Sequence, residues 1–121
     1  MKSHKDMDVW NLAIDFAENV YSITREYPRD ELYGLVSQMR RAAVSISANI
    51  SEGAARKSRK EFLHFLYIAR ASSSELDTLL EISKRTNMTG EENIQNARQM
   101  NLTLIKMLTA LINRLTLPTD H

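Results

Sequence analysis

Three groups of residues have the types and spacing that chemistry needs. Arg56, Lys57, Arg59 and Lys60 place four cations within five positions. Arg41, Ser45, Asn49 and Glu52 recur at steps of 4, 4 and 3, and Glu61 stands three residues before His64. The cation cluster is suited to anions, above all the phosphates of RNA or DNA. Ser58 and Glu61 have the spacing of a capping box, which would start a helix and leave its positive amide ends at the same corner. No aromatic run accompanies the cluster, so base-specific reading is not expected. A solvated charged turn is the other reading of these residues.

The file Arg41, Ser45, Asn49, Glu52 lines one flank of a helix, roughly 120° from its apolar stripe at 100° per residue. Ser72 and Glu75 offer a matching spacing on the following helix. An arginine fork suits a two-point carboxylate contact, so Arg41 with Glu75 or Glu52 is the expected pair. This reads as a polar seam that fixes register between helices or between subunits. Read as a catalytic cluster, the file lacks a nucleophile–base pair.

Glu61-x-x-His64 matches half of a di-metal bundle site, which needs two such pairs and two further glutamates. The chain has only His4, His64 and His121, and only His64 has a glutamate three positions earlier. His4, Asp6 and Asp8 sit in a polar start too loose for firm metal binding. There is no cysteine, which removes thiol catalysis, disulfides and thiolate metal sites. Glycine-rich phosphate loops, nucleophile elbows and zinc spacings are absent. Neither enzyme activity, a metal nor a cofactor is expected.

These residues need elements to hold them. The 121 residues suffice for one domain, spanning 1–121, with only three glycines and two prolines. Apolar residues recur at three and four, which predicts helices over about 8–27, 31–54, 58–87 and 90–116. Pro28 is expected to stop the first, Asp30 to cap the second, and Gly53 to supply a left-handed end. Thr89 to Glu92 has a second capping-box spacing, and Pro118 is expected to end the ordered chain. Short connections favour antiparallel neighbours, so the fold class is all-α, an up-down-up-down antiparallel four-helix bundle. Helix four carries apolar residues beyond its 3-4 stripe: Leu102, Ile105, Met107 and Ile112. They are expected to form an oligomer interface, unless the other helices simply wrap them.

The formal net charge is only +1, yet Arg40 to Lys60 holds six basic residues and one acid. That asymmetry gives a local positive field on a nearly neutral protein. No segment has the roughly eighteen apolar residues of a membrane span, and the start lacks a signal peptide's apolar core. A cytoplasmic protein without membrane contact is expected.

The motifs Val9-Trp10, Tyr27-Pro28, Glu31-Leu-Tyr-Gly-Leu35, Gln38-Met-Arg-Arg-Ala-Ala-Val-Ser-Ile46, Glu52-Gly53, Ser58-x-Lys-Glu-Phe62 and Ser72-x-x-Glu75-Leu76 run through the chain. In them it resembles the four-helix-bundle proteins encoded in intervening sequences of bacterial large-subunit ribosomal RNA genes, often labelled S23 ribosomal proteins. It is more distantly similar to the accessory variability determinant proteins of diversity-generating retroelements. The resemblance implies a homopentameric ring, contact with nucleic acid and no enzyme activity. Ser47 replaces a usual proline, which should straighten helix two. Ala71 replaces a usual glycine, which should loosen a close helix contact. Two functions follow as alternatives: an oligomeric scaffold whose corner touches RNA or DNA, or an adaptor that binds another protein.

Overall fold

A computed structural model describes residue 4 and residues 7–117. Asp6, Pro118 and His121, which figured in the expectations above, lie outside the described residues. The elements are α1 (Asp8–Thr24), a 3-10 turn (Arg29–Glu31), a π-turn (Leu32–Val36), α2 (Ser37–Ala54), α3 (Arg59–Arg85) and α4 (Glu91–Thr116). Each helix packs on its two neighbours, α1 on α2 and α4, α3 on α2 and α4, which closes a four-sided bundle. Phe16, Met39, Ile46, Leu66, Leu76, Leu104 and Leu108 fill its centre with no exposed surface. Burying such side chains contributes roughly 1.5–3 kcal/mol each.

Both ends of the first connection differ from expectation. α1 stops at Thr24, before Pro28 acts. The Thr24 hydroxyl donates to the Val20 carbonyl at 2.6 Å, and Arg40 Nε donates to Thr24 Oγ1 at 3.0 Å. The Arg40 guanidinium also lies 4.6 Å from the Tyr21 ring centre. A cation at a helix C-terminus meets the negative end of its dipole, so Arg40 serves as a clamp there. Asp30 does not cap α2. The Glu31 carboxylate instead accepts from the Leu35 amide at 3.2 Å, and Gly34 breaks the helical path with φ −112° and ψ −109°. The break shifts the phase of the residues before it. Leu32, which an unbroken 3-4 spacing with Leu35 and Met39 would bury, is therefore exposed, while those two are buried.

Gly53 is not left-handed; among the described residues no glycine has positive φ. It lies inside α2, where a Cβ would sit 2.9 Å from Phe62 Cδ1 and 2.9 Å from Phe65 Cβ. Its missing side chain lets α2 meet α3. The left-handed residue is Asn87, with φ 56°, after α3. Met88 donates to the Ser83 carbonyl at 3.0 Å and Asn87 to that of Lys84 at 3.2 Å, a Schellman end. The second capping box does not form. Gly90 is the N-cap, and Thr89 Oγ1 accepts from Asn93 Nδ2 at 2.8 Å. α2 continues through Ser47, which is buried and donates to the Val44 carbonyl at 3.2 Å. Ala71 is exposed on α3.

On α4, Ile112 is 3% exposed and belongs to the core, not to an outer surface. Five turns of about 3.6 residues bring position 112 back into line with Ile94. A heptad reading places Leu111 there instead, but a straight helix drifts about 20° per heptad. Met107 packs partly against the core. Leu102, 46% exposed, and the half-buried Ile105 stay at the surface.

The polar file separates for a similar reason. Successive steps of four advance about 40° each, so Asn49 turns toward the core while Arg41 and Glu52 stay outside. The Ser45 and Ser72 hydroxyls meet at 2.9 Å between α2 and α3, and Asn49 Nδ2 donates to Ser45 Oγ at 3.0 Å. Arg41 and Glu75 are exposed and share no ion pair among the described residues. Glu52 pairs with Arg56 instead, at 2.6 Å.

Among the described residues the interhelical ion pairs lie between α3 and α4. Arg98 meets Asp77 at 3.2 Å and Glu81 at 2.5 Å, and Glu81 also meets Arg85 at 2.7 Å. Hydrogen bonds from Arg85 and then Arg98 hold the Glu81 carboxyl down at about 2, below the usual 4.5. Beneath them Asn101 and Ser73, both within apolar stripes, form a buried pair. The Ser73 hydroxyl donates to Asn101 Oδ1, and Asn101 Nδ2 donates to the Ser73 carbonyl at 3.0 Å.

Two predictions follow from this packing. Gly53→Ala gains helix propensity, roughly 1 kcal/mol, but drives a methyl into Phe65 Cβ, which cannot swing aside. A net destabilisation of about 1–2 kcal/mol is expected in urea unfolding; a more stable variant would show that α2 and α3 separate freely. Arg98→Ala should lower the melting temperature by roughly 3–6 °C, and Arg41→Ala by little. A depressed folded-state pKa gives stability that is present above about 4.5 and lost as pH falls toward about 2. Arg98→Ala should therefore flatten the acid side of the stability profile between those values. Equal melting temperatures and equal acid slopes for the two variants would remove the network's role.

Candidate nucleic-acid interface

The basic corner is built by the α2–α3 turn. α2 ends at Ala54, α3 starts at Arg59, and four residues join them. So short a turn is possible because Gly53 lets the two helices touch just before it. Ser58 is the N-cap of α3, with extended backbone. Its Oγ accepts from the Glu61 amide at 3.1 Å, and its hydroxyl donates to Glu61 Oε1 at 3.1 Å. The expected capping residues are thus in place, with the carboxylate on the serine hydroxyl. Glu61 is thereby used in the cap, and His64 turns edge-on to Phe65, ring centres 5.3 Å apart. Among the described residues no three His, Cys, Asp or Glu side chains converge as a metal site would require.

The four expected cations divide. Arg56 is half-buried, paired with Glu52 at 2.6 Å and 4.9 Å from the Phe65 ring centre. It belongs to the packing of the turn. Lys57, Arg59 and Lys60 are exposed, and among the described residues none meets a carboxylate. Arg59 Nη1 reaches the Leu117 carbonyl only at 3.5 Å. Ser58 stands between Lys57 and Arg59, so the corner offers three point charges on four consecutive residues. Glu52 and Glu61 offset part of its field, but Arg56 and the Ser58 cap already engage them.

An aromatic ring does accompany this corner, which the sequence order concealed. A cavity of about 530 Å³ opens beside the turn. Met7, Ala54, Phe62 and Leu115, all half-buried, form its floor, with the exposed Lys57 and Arg59 at its edge. Residues from α2, α3, α4 and the start of α1 are gathered there by the bundle. The available sequence signal was Phe62, one turn into α3 and facing back toward its N-terminus.

A second surface feature lies at the Gly34 break. Tyr21, Leu32, Tyr33, Val36, Arg41 and Val44 line a groove of about 490 Å³, with Tyr33 93% exposed. Arg41 is some 22 Å of helix from Arg56, at about 1.5 Å per residue, so it adds nothing to the corner. The exposed apolar residues therefore gather around the start of α2 more than on α4.

No helix among the described residues is long and apolar enough to cross a membrane. The bundle is similar to the crystal structure of a protein with unknown function from the S23 ribosomal protein family of Bacteroides thetaiotaomicron. The two share 24% identity and a TM-score of 0.81, over 87% of this chain and 95% of that one. No curated protein matches the sequence. Residues 5–110 match the model of the 23S rRNA-intervening sequence protein family, and the four-helix bundle agrees, so the chain belongs to that family.

Proposed function

We propose that this chain is a non-enzymatic, cytoplasmic scaffold that assembles into a ring, five copies by its family resemblance, and presents its basic corners to RNA or DNA. The observation that carries the reading is the exposure of Lys57, Arg59 and Lys60 without carboxylate partners. Membership of a family described by intervening sequences of 23S rRNA supports an RNA link. Three charges on one copy bind phosphate weakly, and several corners on one ring multiply the effect through effective concentration. Oligomer contact is best supported at the Tyr21–Tyr33–Val44 groove, with Leu102 and Ile105 as a smaller second patch. Ile112 is excluded from it by burial in the core. The same groove favours the alternative of a protein adaptor, because an aromatic this exposed beside apolar neighbours is a typical anchor for a protein partner.

Two measurements check the proposal. Light scattering after size exclusion should give a multiple of 13.9 kDa, five-fold for the ring, and Tyr33→Glu should reduce it. A monomer mass for the unaltered chain would remove the ring. Filter retention of mixed-sequence RNA should fall when Lys57, Arg59 and Lys60 are changed together to glutamine. It should also fall with salt, log affinity dropping by roughly 0.7–0.9 per contact per decade. Retention equal for both proteins would place the contact elsewhere. Absence of retention at low salt would favour the adaptor.

A further inference from the structure

We propose that the basic corner takes single-stranded RNA, with one unstacked base entering the cavity behind the cations; this deepens the nucleic-acid reading and rests on it. The cavity's volume, about 530 Å³, falls within the range of small-ligand pockets and exceeds the needs of one nucleobase. Its floor is apolar, formed by Met7, Ala54, Phe62 and Leu115, and Phe62 supplies an aromatic surface. Its edge is cationic, formed by Lys57 and Arg59, with Lys60 exposed one residue further on. An unpaired nucleotide has the same division, an apolar π-face on one side and a phosphate on the other.

A duplex matches the charges but not the cavity, since its bases are stacked and unavailable. Recognition of RNA commonly uses splayed single-stranded bases against aromatic side chains, with cations on the backbone. An acidic peptide could meet the same charges, but an extended peptide that adds as a strand would need a backbone edge to pair with. This corner presents helix ends, and the Ser58 side chain already takes the Glu61 amide. A regularly charged strand is matched by three cations on four residues without any such edge.

The test is fluorescence anisotropy with a labelled single-stranded RNA, the same strand as a duplex, and a version carrying abasic sites with the same number of phosphates. Wild-type protein should bind the single strand about tenfold more tightly than the abasic strand, the size of one base–aromatic contact. It should also prefer the single strand to the duplex, although the duplex has the higher charge density. Phe62→Leu removes the cavity's only ring among the lining residues and keeps every charge. It should reduce single-strand binding to the abasic level and leave duplex binding unchanged. Equal binding of all three RNAs by wild type would overturn the base in the cavity while leaving phosphate contact standing. Binding of none would end both readings. Capture of an acidic, aromatic peptide in preference to every RNA would overturn the occupant. The comparison between intact and abasic strands uses wild-type protein alone, so it decides even if Phe62→Leu fails to fold.

Discussion

The close approach of α2 to α3 at Gly53 is the constraint on which the rest depends. A Cβ there would be 2.9 Å from side chains of both Phe62 and Phe65. Without it, the end of one helix seats on the start of the next, and four residues suffice to reverse the chain. The short turn leaves little slack, so it fixes which of its basic residues reach the bundle. Arg56 is drawn onto Phe65 and Glu52, while Lys57, Arg59 and Lys60 are held outward. Phe62, pinned by the same contact, becomes part of the cavity floor beside them. One missing methyl thus positions a charge cluster and the apolar surface next to it.

Register along the bundle is held by small polar groups rather than by an arginine seam. Ser45 with Ser72 joins α2 to α3, and Ser73 with Asn101 joins α3 to α4. Buried polar groups are costly when unpaired, so each pair penalises a slipped alignment more than it stabilises the correct one. Arg98, outside the second pair, adds two carboxylate contacts to the same junction. Its partners are partly exposed, where individual ion pairs contribute little, and the shared Glu81 gives the group its weight. Both devices leave α1 held chiefly by apolar packing and by Arg40 at its C-terminus.

Helix number, order and most of the core were legible in the sequence, because 3-4 periodicity is a local signal. Val9, Ala13, Phe16, Val20 and Ile23 all proved buried, as did Met39, Ala42, Ile46 and Ile50. The misreadings arose where helical phase accumulates or where partners come from distant sequence. Leu32 lay on the wrong side of the Gly34 break, Ile112 entered the core where a heptad places Leu111, and the Arg41 file fanned away from its seam. Gly53 was read by its position near a helix end, whereas its reason is a contact with residues 9 and 12 positions later. The interhelical Arg98 pairs were missed because no local pattern marks them. At the candidate site, the cations were legible as a run, but their division into structural and free members was not.

That division changes how the chain's charge is understood. Its net charge of +1 hides six basic residues in the middle of the sequence. The fold engages Arg40 at the end of α1 and Arg56 within the turn, leaves Arg41 at the opposite end of α2, and frees three at one corner. Charge paired with a carboxylate, as in Arg56 with Glu52, contributes little to a distant partner, because the two fields cancel at range. Free charge on a nearly neutral body is different. It creates a field localised within about a Debye length, roughly 8 Å in physiological salt, so only a ligand that docks at the corner experiences it. A uniformly basic protein would attract polyanions everywhere and hold them nowhere in particular. Here three cations without carboxylate partners among the described residues adjoin an apolar cavity, so the two features can act on the same ligand.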